Sequence, residues 1–560
     1  MATAPPNEQI ELEILRTTLG ACPDELGAVV ANTAPTASIS QDREFAVAIT
    51  DARGAIVATD DPSQVASMAQ TVAHVAAHFE FDLAEGDVIL TNDPYTGGTR
   101  LHDVTLVAPL MADDELLLFL AVRVRVGDIG GQAGGSLHPD ATEILAEGHP
   151  YPPVKIHRRG RPVRDMLYAF LLNGRRPQET RRTLDAAMAA LALGDRRLGE
   201  LIGRHGADTL RRALAYAQEY SEQLARTVLR TWDRGTYHGE QALECEDHTK
   251  DPVVIRLTAT VDENGLELDF TGSDDQLPLF VNSSAGTTAS RALSAVLAML
   301  GETIPANSGL LRAVRTITRP GTVVHPVEPA PVGWGSVHCG NEVTEVVATT
   351  LRQAGGRPVP ALTVPRPLLL SRPESDRSDQ LDLARWAVGG AGAMTGRDGW
   401  GPPQLSTRAQ LHSVEQWETT QATRVERVEF VEDSAGAGQW RGAPGVETVL
   451  SPAPDRRYTL WTRTVGTPVP GLAGGAPGRA GEVAFRTGDG WRPAPFGATD
   501  AEITAGRLRM RLAGGGGCGD PALRERAAVL DDLADGLISE AAARDIYGLR
   551  ADEPNGGNHD

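Results

Sequence analysis

Thr91-Asn-Asp-Pro-Tyr-Thr-Gly-Gly-Thr-Arg-Leu-His-Asp103 is the stretch from which the rest of this chain is read. Adjacent glycines at 97 and 98 let the backbone approach a ligand closely. Around them Asn92, Asp93, Tyr95, Arg100, His102 and Asp103 gather polar groups on one loop between strands. An Asx-Pro turn with incidental charges is the plainer alternative. Further on, Arg123-Val-Arg-Val-Gly-Asp-Ile-Gly-Gly131 puts Arg123 and Arg125 on one face of a strand, because side chains alternate along it. Asp128 sits in the glycine turn that follows. Two guanidiniums so placed suit a carboxylate or phosphate, and they equally suit an exposed face carrying ordinary ion pairs.

Working outward, residues 7–33 carry apolar positions at helical spacing, and residues 44–60 read as a hairpin turning at Asp51-Ala-Arg-Gly54. An amphipathic helix over 62–81 carries His74 and His78, four apart as in a metal pair but with no carboxylate beside them. Residues 176–233 are helical, with many Arg/Glu pairs. A strand-rich segment begins near Val253 and turns at Glu263-Asn-Gly265, and a helix covers Thr288–Leu300. From about residue 385 glycine clusters recur without a fixed period, so no solenoid is indicated. Two short helices close the chain, at 521–533 and 539–547, before a tail at 553–560 that reads as disordered. The division expected is 1–175, 176–250, 251–384, 385–520 and 521–560.

Composition excludes several functions. The net charge of −21 argues against a nucleic-acid binder, and the local basic stretch Lys155–Arg182 does not reverse it; that stretch is either a docking surface or a salt-bridged helix start. No segment is long and apolar enough for a membrane span, and the start lacks the basic and apolar parts of a signal peptide. The four cysteines lie far apart without a CxxC pair, which fits a cytoplasmic protein. Only two lysines, Lys155 and Lys250, stand against 51 arginines. Neither follows a glycine-rich loop, so a P-loop is excluded, and any ATP is expected on another chain.

Other patterns are weaker. Glu244-Cys-Glu-Asp-His248 reads as a solvated acidic turn, and Trp334-Gly-Ser-Val-His-Cys-Gly-Asn341 carries nucleophilic residue types without a triad's spacing logic. No Gly-x-Ser-x-Gly elbow occurs.

Taken together, Asn92–Thr99, Asp128-Ile-Gly-Gly131, Thr142–Gly148 with Pro152-Pro-Val-Lys155, and Gly396-Arg-Asp-Gly399 resemble the hydantoinase B/oxoprolinase family. So do Ser434–Gly442, Gly471–Gly478 and Gly515–Pro521, and the matches run in order from about residue 8 to 550. The resemblance implies an α+β fold: a barrel-like pair of β-sheets with peripheral helices, running into a glycine-rich bundle of polyproline-II-like segments. It also implies a division of labour. An A-type partner subunit holding ATP and magnesium phosphorylates a carbonyl oxygen; the B-type chain, binding no nucleotide itself, completes hydrolysis or carboxylation. Some branches add a small accessory subunit.

Departures from the family pattern fall in one place. Arg100 stands where the family has a histidine, and Arg125-Val126-Gly127 replaces a histidine pair. Pro403–Arg408 replaces a third His-rich stretch, while Glu44 survives. Arginine has no free lone pair for a metal, and Glu44 with Asp103 alone makes a poor site, so loss of the family's divalent metal is expected. Arg100, His102, Asp103, Arg125 and Asp128 are then the candidate catalytic residues, and Asn92, Asp93, Tyr95, Gly97, Gly98 and Arg123 candidates for holding the substrate. With arginines supplying fixed positive charge to an anion and His102 or Asp103 moving a proton, the pattern leans towards an acetophenone-type ketone carboxylase. Cyclic-amide hydrolysis and a metal-less scaffold are the alternatives.

Overall fold

The computed structural model describes residues 6–245, 252–301, 304–362, 367–373, 381–383, 389–401, 413–421, 423–453, 456–488, 490–502 and 506–549. The chain divides into two compact units. One is built on Met1–Arg357 with Arg372–Gln380 and Gln404–Gln410, the other on Pro358–Ser371, Leu381–Pro403 and Leu411–Asp560.

The first unit is organised by a seven-stranded sheet. Its strands are β1 (Phe45–Asp51), β2 (Ile56–Thr59), β3 (Val88–Thr91), β4 (Asp103–Ala112), β5 (Glu115–Arg125), β6 (Val154–Arg158) and β7 (Arg161–Pro162), in the order β2-β1-β5-β4-β3-β6-β7. Every pairing is antiparallel. The helices of the unit are α1 (Pro6–Thr33), α2 (Ala37–Ser40), α3 (Val65–His78), α4 (Ile144–Glu147), α5 (Arg164–Leu172), α6 (Pro177–His205) and α7 (Ala207–Leu229), then α8 (Ala285–Leu300), α9 (Ser308–Ala313) and α10 (His338–Leu351).

Alternation decides which helix goes where. Phe45, Val47 and Ile49 of β1 and Leu118, Leu120, Val122 and Val124 of β5 share one core with Leu15, Leu19 and Leu26 of α1 and with Leu191 and Leu210 of α6 and α7. Each such buried side chain contributes about 1.5–3 kcal/mol. The opposite face of β1 offers the small Ala46 and Ala48, and there α3 lies close: a Cβ on Gly54, whose φ is +85°, would stand 2.4 Å from the Ala73 nitrogen. Helix α8 packs on α3, where the Ser67 N–H donates to Ser290 Oγ at 3.0 Å. Beyond it α10 packs against a four-stranded sheet of β8 (Gly235–Leu243), β9 (Val253–Asp262), β10 (Gly265–Asp269) and β11 (Val314–Ile317). The helical stretch expected over 176–233 is broken at Gly206, whose φ of +81° leaves the helical region.

The second unit holds β12 (Leu368–Pro373), β13 (Leu381–Asp382), β14 (Thr423–Phe430), β15 (Val446–Pro452), β16 (Arg456–Trp461), β17 (Glu482–Thr487), β18 (Gly490–Pro493), β19 (Gly497–Glu502) and β20 (Arg507–Arg511). They form two sheets, β13-β12-β16-β19 and β14-β15-β20-β17-β18. Their core gathers Trp417, Leu450, Tyr458, Phe485 and Leu508. Beside it run the glycine-rich segments, outside regular helix and ladder. Residues 513–518 bond to several of the others: Gly390 N–H to Ala513 O, Gly515 N–H to Ala443 O and Gly517 N–H to Ala476 O, each at 2.9 Å. A Cβ on Gly514, Gly515, Gly516 or Gly517 would stand 1.8–2.2 Å from a neighbouring carbonyl oxygen. Only glycine lets backbones meet that closely.

The barrel expected from the resemblance is not closed. Among the described residues the seven-stranded sheet begins at β2 and ends at the two-residue β7, and the other sheets are likewise open. The tail expected to be disordered and the replacement stretch Pro403–Arg408 lie outside the described residues, as does Glu246–His248 of the acidic turn.

Candidate active site

Four of the five candidate catalytic residues meet at one end of β4 and β5. Asp103 opens β4 and stands opposite Arg125, the last residue of β5. Arg125 Nη1 donates to both carboxylate oxygens of Glu44, at 2.6 and 2.7 Å, just before β1. Arg100 Nε donates to Asp103 Oδ2 at 3.0 Å, and Arg100 Nη2 lies 3.8 Å from Glu44 Oε1. Thr99 Oγ1 donates to the same Asp103 oxygen at 2.5 Å. Burial alone would raise the Asp103 pKa; Arg100, the Thr99 bond and Arg125 together outweigh it and hold the carboxyl below its ordinary value.

His102 lies beside them and is 1% exposed. Its Nε2 faces the Gly135 carbonyl at 2.8 Å, and a carbonyl only accepts, so Nε2 carries the proton. Nδ1 is buried without a hydrogen-bond partner. Burial first, then the charges of Arg125 and Arg100, push the His102 pKa down to about 4. The ring is neutral at pH 7, with a lone pair on Nδ1.

Arg123 points from β5 into the face covered by α3, 1% exposed. It donates to Thr105 Oγ1 (2.9 Å), Gln64 Oε1 (3.0 Å), Ser67 Oγ (2.7 Å) and Thr71 Oγ1 (2.9 Å). Burial lowers its pKa to about 10, so it remains a cation. With its donors spent on protein, it is a charged floor beneath the cluster rather than a substrate fork.

The remaining candidates hold the loops. Asn92, fully buried, donates to Leu101 O and His149 O and accepts from Tyr151 N–H at 2.6 Å. Asp93 accepts from Tyr95 N–H and the Thr96 hydroxyl, and the Tyr95 hydroxyl donates to Ala330 O at 2.6 Å. Gly97 is required by contact with α3, a Cβ there standing 2.4 Å from Thr71 N, and Gly98 by contact with Asp93 O. Asp128 lies away from the paired carboxylates: it accepts from Gly130 N–H, Gly135 N–H and the backbone and side chain of Arg175. Expected to hold substrate or, for Asp128, to act in catalysis, these side chains instead spend their hydrogen bonds on backbone and on the Thr96 and Arg175 side chains.

Two residues escaped the sequence. Arg291 on α8 lies where Arg100 and Asp61 both act on it, with Gly340 of α10 against its side chain, and burial lowers its pKa to about 10. It is 191 positions from Arg100 and sits in no motif, so nothing local marks it. Glu147, 1% exposed, accepts from Val332 N–H and Gly333 N–H at 3.0 and 2.8 Å; burial raises its pKa to about 8. It lies inside the Thr142–Gly148 motif, but only the fold reveals its partners.

The residues do not fit a divalent metal. Both carboxylates are taken up by guanidiniums, and among the described residues no group of three His, Cys, Asp or Glu side chains is arranged to hold a metal. His74 and His78 have ring centroids 6.3 Å apart, with no third His, Cys, Asp or Glu grouped with them among the described residues. In the second unit, Asp398 of the Gly396–Gly399 motif takes two 2.8 Å bonds from Arg524, a structural tie.

The profile of the hydantoinase B/oxoprolinase family matches residues 8–521, and the chain belongs to that family. It is 29% identical over 515 residues to the beta chain of the Pseudomonas jessenii caprolactamase, covering 88% of this chain and 87% of that one. To the B chain of a putative D-/L-hydantoinase from Pseudomonas sp. strain NS671 it is 26% identical over 558 residues, covering 94% and 92%. The crystal structure of the ATP-dependent caprolactamase from Pseudomonas jessenii superposes with a TM-score of 0.86 at 26% identity, over 99% of this chain and 98% of that chain. A nucleotide-free acetone carboxylase structure shares the fold, with a TM-score of 0.84 at 18% identity over 97% and 80%. The chain is thus related to B-type subunits of ATP-dependent complexes. No helix among the described residues is long and apolar enough to cross a membrane.

Proposed function

We propose that this chain is the B-type subunit of an ATP-dependent cyclic-amide hydrolase, completing ring opening on a substrate whose carbonyl oxygen a partner subunit has phosphorylated. The observation that carries this is the end-to-end likeness to a caprolactamase chain, in sequence and in structure. Nucleotide and magnesium belong to the partner, in keeping with the missing P-loop. In this reading water adds to the activated carbon, the ring C–N bond breaks, and its electron pair leaves on nitrogen. His102 Nδ1, with its lone pair, accepts the water proton and returns it to the departing ring nitrogen, while Arg100 and Arg125 hold the Glu44 and Asp103 carboxylates in place around it. A second water then displaces phosphate from the acyl carbon.

A carboxylase would need Arg100 and Arg125 open to an anion. Each is already paired, at 3.0 Å to Asp103 and 2.6 Å to Glu44, which favours the hydrolase. Polyproline-II character for the glycine segments belongs to the same proposal and is supported by their side-chain-free packing.

Ring opening of ε-caprolactam or a hydantoin by the assembled complex, with ADP formed and no fixation of labelled bicarbonate, is the expected result. Fixation of label into a ketone would overturn the hydrolase in favour of the carboxylase.

A further inference from the structure

Among the candidate catalytic residues one carboxylate, Asp128, touches none of the paired groups. It is 1% exposed and satisfied on both oxygens. Oδ1 accepts from Gly130 N–H at 3.0 Å and Arg175 N–H at 2.8 Å; Oδ2 accepts from Gly135 N–H at 2.8 Å and Arg175 Nη1 at 3.0 Å. Arg175 goes further. Its guanidinium also donates to the carbonyls of Gly130 (3.2 Å), Ala133 (3.2 Å) and Gly131 (2.7 Å). One side chain therefore holds a loop in which Gly130, Gly131, Gly135 and Ser136 all have positive φ, at 90°, 80°, 71° and 57°. Such a loop has no ladder to fix it and depends on these bonds.

The loop reaches the cluster through Gly135. Gly135, whose N–H is fixed by Asp128, presents its carbonyl to His102 Nε2 at 2.8 Å. That carbonyl decides which ring nitrogen bears the proton and so which keeps the lone pair.

We propose that Arg175 is a positioning residue: acting through Asp128 and Gly135, it locks His102 in the Nε2–H tautomer and leaves Nδ1 as the proton acceptor. This rests on the reading that His102 moves the proton in ring opening. A purely structural Arg175 would affect stability without touching the imidazole; a positioning Arg175 alters the ring. Arg175 lies within the basic stretch Lys155–Arg182, which by charge alone reads as a docking surface or a salt-bridged helix start.

The test uses the full chain with nitrogen-15-labelled histidine, the His102 ring signal being assigned by its loss in His102→Gln. In the unaltered protein the ring is expected wholly as the Nε2–H tautomer. Arg175→Gln is expected to give a mixture of tautomers. In the assembled complex it should lower kcat about tenfold with KM changed less than about twofold, as misplacement of a catalytic group does. Arg175→Lys, which keeps one charged donor, should restore part of both. Should Arg175→Gln not fold, Asp128→Asn serves in its place, with the same expectation. Unchanged His102 ring signals in these variants would overturn the inference, whatever the turnover. Full turnover in His102→Gln would instead remove the shuttle role of His102, leaving the tautomer result to judge Arg175.

Discussion

Arg125 grips both carboxylate oxygens of Glu44 with a single nitrogen, at 2.6 and 2.7 Å, and the two residues are 81 positions apart. Both side chains are largely buried. Removing the cation leaves a carboxylate in a site with little water. Arg125→Ala is expected to cost about 2–4 kcal/mol in urea unfolding. The Glu44→Ala, Arg125→Ala double variant should lose less than the two singles together, and strict additivity would show that the pair is not coupled.

Arg100 separates the hydrolase from the scaffold. Arg100→Ala frees Asp103 from its 3.0 Å bond while Thr99 still holds it. In the hydrolase reading kcat falls about tenfold or more in an intact complex, through loss of a fixed charge beside the reacting group. Full turnover with normal assembly would favour the scaffold.

Metal content follows from the same pairs. The purified chain should hold no stoichiometric zinc or manganese, by elemental analysis. The Arg100→His, Arg125→His double variant returns two imidazoles beside Glu44 and Asp103 and should take up a divalent metal in titration. Stoichiometric metal in the unaltered chain would show that the guanidinium-paired carboxylates still bind one.

His102 should leave a mark on acid stability. The ring ordinarily titrates at 6.5, and in the folded chain burial and the two arginines bring it to about 4. Between those values the unfolded state binds the extra proton, so stability is complete above about pH 6.5 and falls as pH drops towards 4. Below that the penalty is constant, at about 3 kcal/mol. His102→Gln keeps a donor for Gly135 and does not titrate. Its stability relative to the unaltered chain should therefore improve by about that amount between pH 7 and pH 4 in urea unfolding; a difference independent of pH would contradict the neutral buried ring.

Glycine substitutions should divide sharply. A Cβ on Gly515 would stand 1.8 Å from Ala391 O, so Gly515→Ala should prevent or severely weaken folding of the second unit. Gly199 lies inside α6 with nothing within 4 Å of a Cβ, and Gly199→Ala should stabilise by about 0.5–1 kcal/mol in thermal unfolding.

Much of this was legible in the sequence. Period and turn chemistry located the Phe45–Thr59 hairpin, the α6–α7 stretch and the shared face of Arg123 and Arg125, because those are properties of neighbours in the chain. The failures are all of long range. Asn92 looks like a substrate contact and Asp128 like a catalytic group until Tyr151 and Arg175 arrive from 59 and 47 positions away. Arg291 is invisible for the same reason. Sheet closure was misjudged because the two-residue β7 ends the sheet, and no local pattern tells an edge from a seam.

The positive charge facing Glu44 and Asp103 is carried on side chains of the polypeptide itself. It arrives with translation, needs no loading step, cannot be stripped by a chelator and does not vary with the cell's supply of trace elements. It also cannot be exchanged for another ion to tune the chemistry. Whatever this site does, it does with one setting, and only mutation can change it.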